Sequence, residues 1–160
     1  VAPLLYRPPL DWLIQGFKFN QRLPPGRLLG QLLAQHLAGQ IITPPELIVP
    51  VPLHPARLRE RGYNQALELA RPLARRFGIP LAHGLVRRVR ATATQSLLPA
   101  GERRRNVRGA FALRRPLAAR HVAIVDDVIA TGSTVAELAR VLRRAGAERI
   151  EVWAVARAGR

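Results

Sequence analysis

Two of the chain's three aspartates, Asp126 and Asp127, stand side by side after the run Val122-Ala123-Ile124-Val125. Ala130-Thr131-Gly132-Ser133-Thr134 follows almost at once. Carboxylates at the end of a buried strand are costly unless hydroxyls, amides or a cation satisfy them. Small and hydroxyl residues entering a helix expose backbone N–H groups, and the helix dipole favours an anion there. Together these groups suit a sugar phosphate, with acids for the ring hydroxyls and amides for the phosphate. Glu137, three residues after Thr134, completes a capping-box pattern and predicts a helix start there. An ordinary strand–turn–helix with solvated aspartates is the plainer alternative. Asp-Asp alone would leave it standing, but the whole pattern from Val122 to Thr134 does not, because strand, acid pair, Thr-Gly and cap all agree. Side chains alternate along a strand, so both aspartates reach one ligand only if the chain leaves the strand at that point. No Gly-Lys-Ser/Thr occurs, so this is not a Walker loop.

The elements that must position these groups alternate in type. Leu10–Phe19 and Arg27–Leu37 read as short helices separated by the breaker Leu23-Pro24-Pro25-Gly26. Leu47–Val51 reads as a buried strand. Asn64 can cap a helix that carries Leu67, Ala70, Leu73, Ala74 and Phe77 at helical spacing and stops at Gly78. Pro72 should bend or split that helix. Leu85–Val89 and Ala110–Leu113 are weaker strands flanking an arginine-rich stretch. Val122–Val125 is a clearer strand, Val135–Ala145 a helix, and Ile150–Val155 the last strand. Such alternation predicts an α/β fold with a doubly wound, mostly parallel sheet. We expect a single domain over 1–160, with a small N-terminal helical hood over 1–46 and an α/β core over 47–160.

Composition narrows the class. Hydrophobic residues make up 48% of 160, enough for a sizeable core. No apolar run approaches the ~18 residues that cross a bilayer, and a cytoplasmic location is expected. There are no cysteines, hence no disulfides or thiolate metal sites. The chain opens on Val1 and contains no methionine, which suggests that an upstream portion is missing. Lys and Arg total 26 against 10 acids, a net charge of +16, and Lys18 is the only lysine. A GC-rich genome accounts for the choice of arginine over lysine, not for the shortage of acids. The surplus favours polyanionic partners, phosphate ligands or nucleic acid.

Val122–Thr134 closely resembles the phosphoribosyl pyrophosphate (PRPP) signature of type I phosphoribosyltransferases. That resemblance implies Asp126 and Asp127 on the ribose hydroxyls and Ala130, Thr131, Gly132, Ser133 and Thr134 around the 5′-phosphate. It also implies Mg2+ held mainly by the ligand's own oxygens. Pro50-Val51-Pro52-Leu53-His54-Pro55-Ala56-Arg57, the following Arg61-Gly62-Tyr63-Asn64-Gln65, Thr94-Gln95-Ser96-Leu97 and Glu102 to Phe111 resemble the ComF family, as does Leu13 to Phe19. Members are associated with DNA uptake in natural competence. They commonly carry a cysteine-rich zinc-binding N-terminal segment that this chain lacks.

The superfamily places its pyrophosphate loop where His54 and Arg57 lie; a solvated loop is the alternative. Between Arg87 and Arg120 stand ten arginines and one acid. They are either a solvated face or, as in similar enzymes, a basic loop closing over pyrophosphate. Arg87, Arg88, Arg103 and Arg104 are the candidates for bidentate phosphate contact; Gln95 and Ser96 could order the tip. Lys18, the lone lysine, invites a functional role, but chance is the better explanation; Trp12, Phe17 and Phe19 read as hood or core residues, and His36, His83 and His121 as structural.

The expected activity is PRPP-dependent phosphoribosyl transfer, in nucleotide metabolism or DNA uptake, with Asp126, Asp127, Arg88 and Arg104 as catalytic candidates. Its rival is a non-catalytic module for single-stranded DNA or a competence partner, with the PRPP site kept as a sensor. Scarce aromatics, 5%, weaken the stacking such a module uses. PRPP is the first expected partner, then single-stranded DNA, competence proteins and a second copy in a homodimer, with no membrane.

Overall fold

A computed structural model describes residues 1–5, 23–91 and 107–158. The β-branched runs form a four-stranded sheet in the order β1 (Leu4–Leu5), β6 (Arg149–Arg157), β5 (His121–Ile129), β2 (Leu47–Pro50). All three pairings are parallel. Leu81 makes a parallel bridge to Ile48 on the outer side of β2. Val86–Arg88 (β3) and Phe111–Leu113 (β4) pair antiparallel in a separate ribbon.

Alternation along the strands builds two cores. Ile48, Ala123, Val125, Trp153 and Val155 pack under helices α1 (Leu23–Ala38) and α3 (Gln65–Phe77). Val49, Val122 and Ile124 pack on the other face, against α4 (Ser133–Arg144) and the β3–β4 ribbon. Helices on both faces of a parallel sheet are the doubly wound arrangement the sequence predicts. A short helix, α2 (Pro55–Arg61), completes the set.

Three local expectations are corrected. Leu23-Pro24-Pro25-Gly26 is not a breaker but the first turn of α1, where the missing proline N–H groups would have no intrahelical partner anyway. Pro72 does not split its helix, which runs unbroken from Gln65 to Phe77. Its ring is accommodated by Gly30 of α1, where a Cβ would lie 2.5 Å from Pro72 Cγ and 3.3 Å from the Leu69 carbonyl oxygen. The α1–α3 crossing therefore needs glycine at that point. The third concerns Glu137: α4 starts at Ser133, capped by Gly132 without a side-chain hydrogen bond, and no capping box forms. The predicted helix Leu10–Phe19, with Trp12, Phe17, Lys18 and Phe19, lies outside the described residues.

The connections decide where a ligand can sit. From β2 the chain passes through α2 and α3 to Leu81, on the outer side of β2. From β5 it passes through α4 to β6, on the opposite side. Between the carboxyl ends of β2 and β5 the two connections part, which leaves a crevice where open parallel sheets bind ligands.

Candidate functional site

One wall of this crevice is the carboxyl half of β5, with Asp126 and Asp127, and the loop into α4. Asp126 Oδ1 accepts the Asp127 N–H at 2.9 Å, and Asp127 Oδ1 accepts the Val128 N–H at 2.7 Å. The ladder to β6 continues through Ile129, so the chain does not leave the strand at the acid pair. Its alternation slips there instead. Val128 packs with the cluster that holds Val125, where strict alternation would send it to the other face.

Gly132 then adopts φ 76°, a left-handed turn that glycine enters without strain. The Thr131 and Ser133 hydroxyls lie 2.7 Å apart, and Thr131 Oγ1 also receives the Ser133 N–H at 3.5 Å. Gly132, the N-cap, offers no side-chain hydrogen bond to α4, and a helix N-terminus of this kind suits an anion.

The opposite wall follows β2. Val51 N–H donates to the Val125 carbonyl at 2.9 Å, which ties the two strand ends together. His54 caps α2, its Nδ1 accepting the Ala56 N–H at 3.3 Å. Asn64 has two duties. Its Oδ1 caps α3 through the Ala66 and Leu67 amides at 3.0 and 3.4 Å, and its Nδ2 donates to the Val51 carbonyl at 3.0 Å. One side chain thus starts α3 and holds the loop after β2.

Arg88 of β3 points into this junction. Its guanidinium lies 5.5 Å from the centroid of the Phe111 ring, its partner in the ribbon, a distance suited to cation–π attraction. Burial pushes the Arg88 pKa below its usual range, the nearby Arg57 charge adds to that, and the Asp126 carboxylate opposes it. Two cations from different elements and one of the two aspartates therefore feel one another across the crevice. Such a cluster is relieved by a bound anion.

An open cleft of about 920 Å³ extends from this end along α2, α3 and the ribbon. Leu58, Tyr63, Leu67, Val86 and Val89 supply apolar wall, and Arg71, Arg87, Arg88 and Arg114 supply charge. Glu68 is there too, paired with Arg71 at 3.2 Å. Burial raises the Tyr63 pKa, with Arg61 opposing and Glu68 adding.

The fold thus brings Arg57, Arg88 and Asp126 within electrostatic reach of one another, sets His54 beside Arg88 in the cleft, and carries Asp127 and Ala130–Thr134 on the chain that runs from Asp126 into α4. Arg103 and Arg104, with Gln95 and Ser96, lie outside the described residues. Of the histidines read as structural, His121 is buried with Nε2 3.0 Å from Glu151 Oε1, and His36 contacts Gln40 at 2.9 Å; His83 is exposed beside the cleft. Sequence reasoning missed Phe111 as the seat of Arg88 and gave Glu137 the wrong partner. Cross-strand register alone could have found the first.

Comparisons with known proteins place the fold in a family. A family model described as the phosphoribosyl transferase domain matches residues 64–160. The chain is 44% identical over 160 residues to competence protein F of Haemophilus influenzae, covering 96% of this chain and 70% of that protein. It is 43% identical to the DNA utilization protein YhgH of Escherichia coli K12, covering 95% and 69%. Among solved structures, it matches the Bacillus subtilis glutamine PRPP amidotransferase complexed with ADP and GMP, with a TM-score of 0.50 and 25% identity. That match covers 79% of this chain and a quarter (25%) of the amidotransferase chain. A fold neighbour, a family match over more than half the chain and relatives aligned along nearly all of it converge: the chain belongs to the ComF family of type I phosphoribosyltransferases.

Proposed function

We propose that the crevice between β2 and β5 binds PRPP and that the chain transfers or senses its phosphoribosyl group in a process tied to DNA uptake. The observation that carries this reading is that Arg88 feels the charges of both Arg57 and Asp126, the acid whose strand runs on through the Gly132 turn into the N-terminus of α4. A molecule with a phosphate at one end, a diphosphate at the other and hydroxyls between matches that order.

Asp126 and Asp127 would hold the ribose hydroxyls, and Ala130–Thr134 the 5′-phosphate. Arg88, with His54 and Arg57 on the loop after β2, would hold the diphosphate, and Arg104 is a further candidate for that end. Among the described residues no three His, Asp or Glu side chains gather at metal spacing. A magnesium site built from one or two carboxylates and ligand phosphates fits the Asp126–Asp127 donors. There Mg2+ would supply charge neutralisation for the leaving diphosphate. The chain's own arginines would share that task as the C1–oxygen bond breaks and the electron pair leaves with diphosphate.

Melting with and without ligand tests the reading. At a hundredfold excess over its dissociation constant, PRPP with Mg2+ should stabilise the protein by about 2.7 kcal/mol. For a chain of this size that is a rise of roughly 5–10 °C. Ribose 5-phosphate, lacking the diphosphate, should give less. Equal shifts from both would remove the diphosphate end from the site.

A second reading, binding of single-stranded nucleic acid, is favoured by the basic cleft beside this crevice. If phosphates lie along it, the log of the affinity should fall linearly with log salt, by ~0.7 for each phosphate neutralised. Arg87→Ala with Arg114→Ala should then flatten the slope by about 0.7 for each phosphate that no longer meets an arginine. An unaltered slope would take the cleft out of that interaction.

A further inference from the structure

Glu137 lies on α4, one turn beyond the phosphate-ready loop, and is only 8% exposed. A buried carboxylate is tolerated only with several strong hydrogen bonds. Its Oε1 accepts the Gly109 N–H at 2.8 Å and Arg140 Nη2 at 2.6 Å, while Oε2 accepts Arg140 Nε at 2.9 Å. The Arg140 partner alone does not account for the burial, because that side chain is 40% exposed and such a pair forms as well at the surface. The Gly109 amide is what draws the carboxylate inward.

Gly109 sits in a turn with φ 70°, closed by the Ala110 N–H to the Val107 carbonyl at 3.0 Å. Arg90 Nη1 donates to the Arg108 carbonyl at 2.8 Å, and the Val89 N–H to the Ala110 carbonyl at 2.8 Å, so the turn is bound to the strand that carries Arg88. The next residue but one is Phe111, on whose ring the Arg88 guanidinium rests. A continuous series of interactions thus runs from the helix behind the phosphate loop to the arginine at the far end of the crevice.

We infer that Glu137 is a positioning residue that couples the two ends of the site, holding the Gly109 turn, and with it Phe111 and Arg88, in register with the helix behind Ala130–Thr134. This inference rests on the PRPP reading above. Its signature is selective: the phosphate loop is intact without Glu137, whereas the diphosphate end loses its reference point.

Calorimetric titration of the full chain with PRPP plus Mg2+, and separately with ribose 5-phosphate, reads this directly. In Glu137→Ala the factor by which PRPP outbinds ribose 5-phosphate should shrink roughly 2- to 30-fold, the range of coupling changes at such linking positions. Ribose 5-phosphate affinity should stay at the wild-type value. Glu137→Gln should retain the factor, since its amide oxygen still accepts the Gly109 N–H, and so should Arg140→Ala. If Glu137→Ala does not fold, Glu137→Asp, one methylene short of Gly109 but still charged, should show the selective loss.

Equal weakening of both ligands would mean a merely structural role and overturn the coupling. So would Glu137→Gln behaving like Glu137→Ala. Wild type that binds neither ligand sinks the site reading and this inference together. Wild type that discriminates, with a Glu137→Ala variant that discriminates equally, sinks the coupling alone.

Discussion

Replacing Asp126 and Asp127 together by asparagine is expected to reduce PRPP stabilisation from about 2.7 kcal/mol to a few tenths at unchanged ligand concentration. Hydrogen bonds to charged groups contribute roughly 1.5–3 kcal/mol each, so losing two weakens binding by about 100-fold or more. Neighbouring groups couple, and the two effects need not add. A 100-fold loss turns a hundredfold excess of ligand into a onefold one, and the melting shift falls from several degrees to about 1 °C. Asparagine is the informative replacement. Its Oδ1 can still accept the next residue's N–H, as both carboxylates do here at 2.9 and 2.7 Å, so the unliganded fold should persist. The single variants should also differ. Asp126 feels Arg88 across the crevice, so Asp126→Asn should disturb the diphosphate end as well as the ribose. Thermal shift on the three variants checks this, and a full wild-type shift in the double variant would remove the aspartates from the site.

Arg88→Ala should slow PRPP consumption about 10- to 150-fold, well beyond its effect on PRPP affinity. The range is one charge-assisted hydrogen bond, roughly 1.5–3 kcal/mol, read as a barrier height. Charge builds on the diphosphate as the C1 bond breaks, so a cation at that end acts more strongly in the transition state than in the resting complex. Arg88 is placed for this by Phe111, while burial and Arg57 press it toward an anion. Removing it also relieves the repulsion from Arg57, which offsets the missing ring interaction, so the unliganded protein should melt near the wild-type temperature. The assay compares turnover with a dissociation constant, using an acceptor or the slow hydrolysis of PRPP by the protein itself. Wild-type turnover in Arg88→Ala would leave this arginine a packing residue with no part in the chemistry. Tight PRPP binding without consumption by wild type would make the site a sensor.

Much of this architecture is legible in the sequence because it is local. A β-branched run ending in Asp126-Asp127 and entering a helix through Thr131-Gly132-Ser133 dictates strand, turn and helix from neighbours alone, and the structure keeps all three. Asn64 likewise announces its cap, because an amide side chain ahead of an apolar helical stripe has few better uses. Legibility fails where a distant partner overrides the local rule. Pro72 reads as a bend or a split, yet its helix runs on, and what no local rule shows is that its ring packs where only a glycine of α1, Gly30, leaves room. Glu137 reads as half of a capping box until the Gly109 amide, 28 residues upstream, claims its carboxylate. Asn64 carries a second duty that its cap does not advertise, since its bond to Val51 spans a turn that no spacing rule describes.

The order of strands and helices, the acid pair and the anion-ready loop thus follow from the chain's own periodicity, caps and turn chemistry, each acting within a few residues. Arg57 and Arg88 are candidates from the sequence, but that they act on one another and on Asp126 is decided by three-dimensional packing. The two arginines are 31 positions apart in the chain, and Arg88 feels both Arg57 and Asp126 because the β3–β4 ribbon packs in one core with β2 and β5. Long-range register of that kind comes from burying two apolar faces at once, and no short window of sequence contains it.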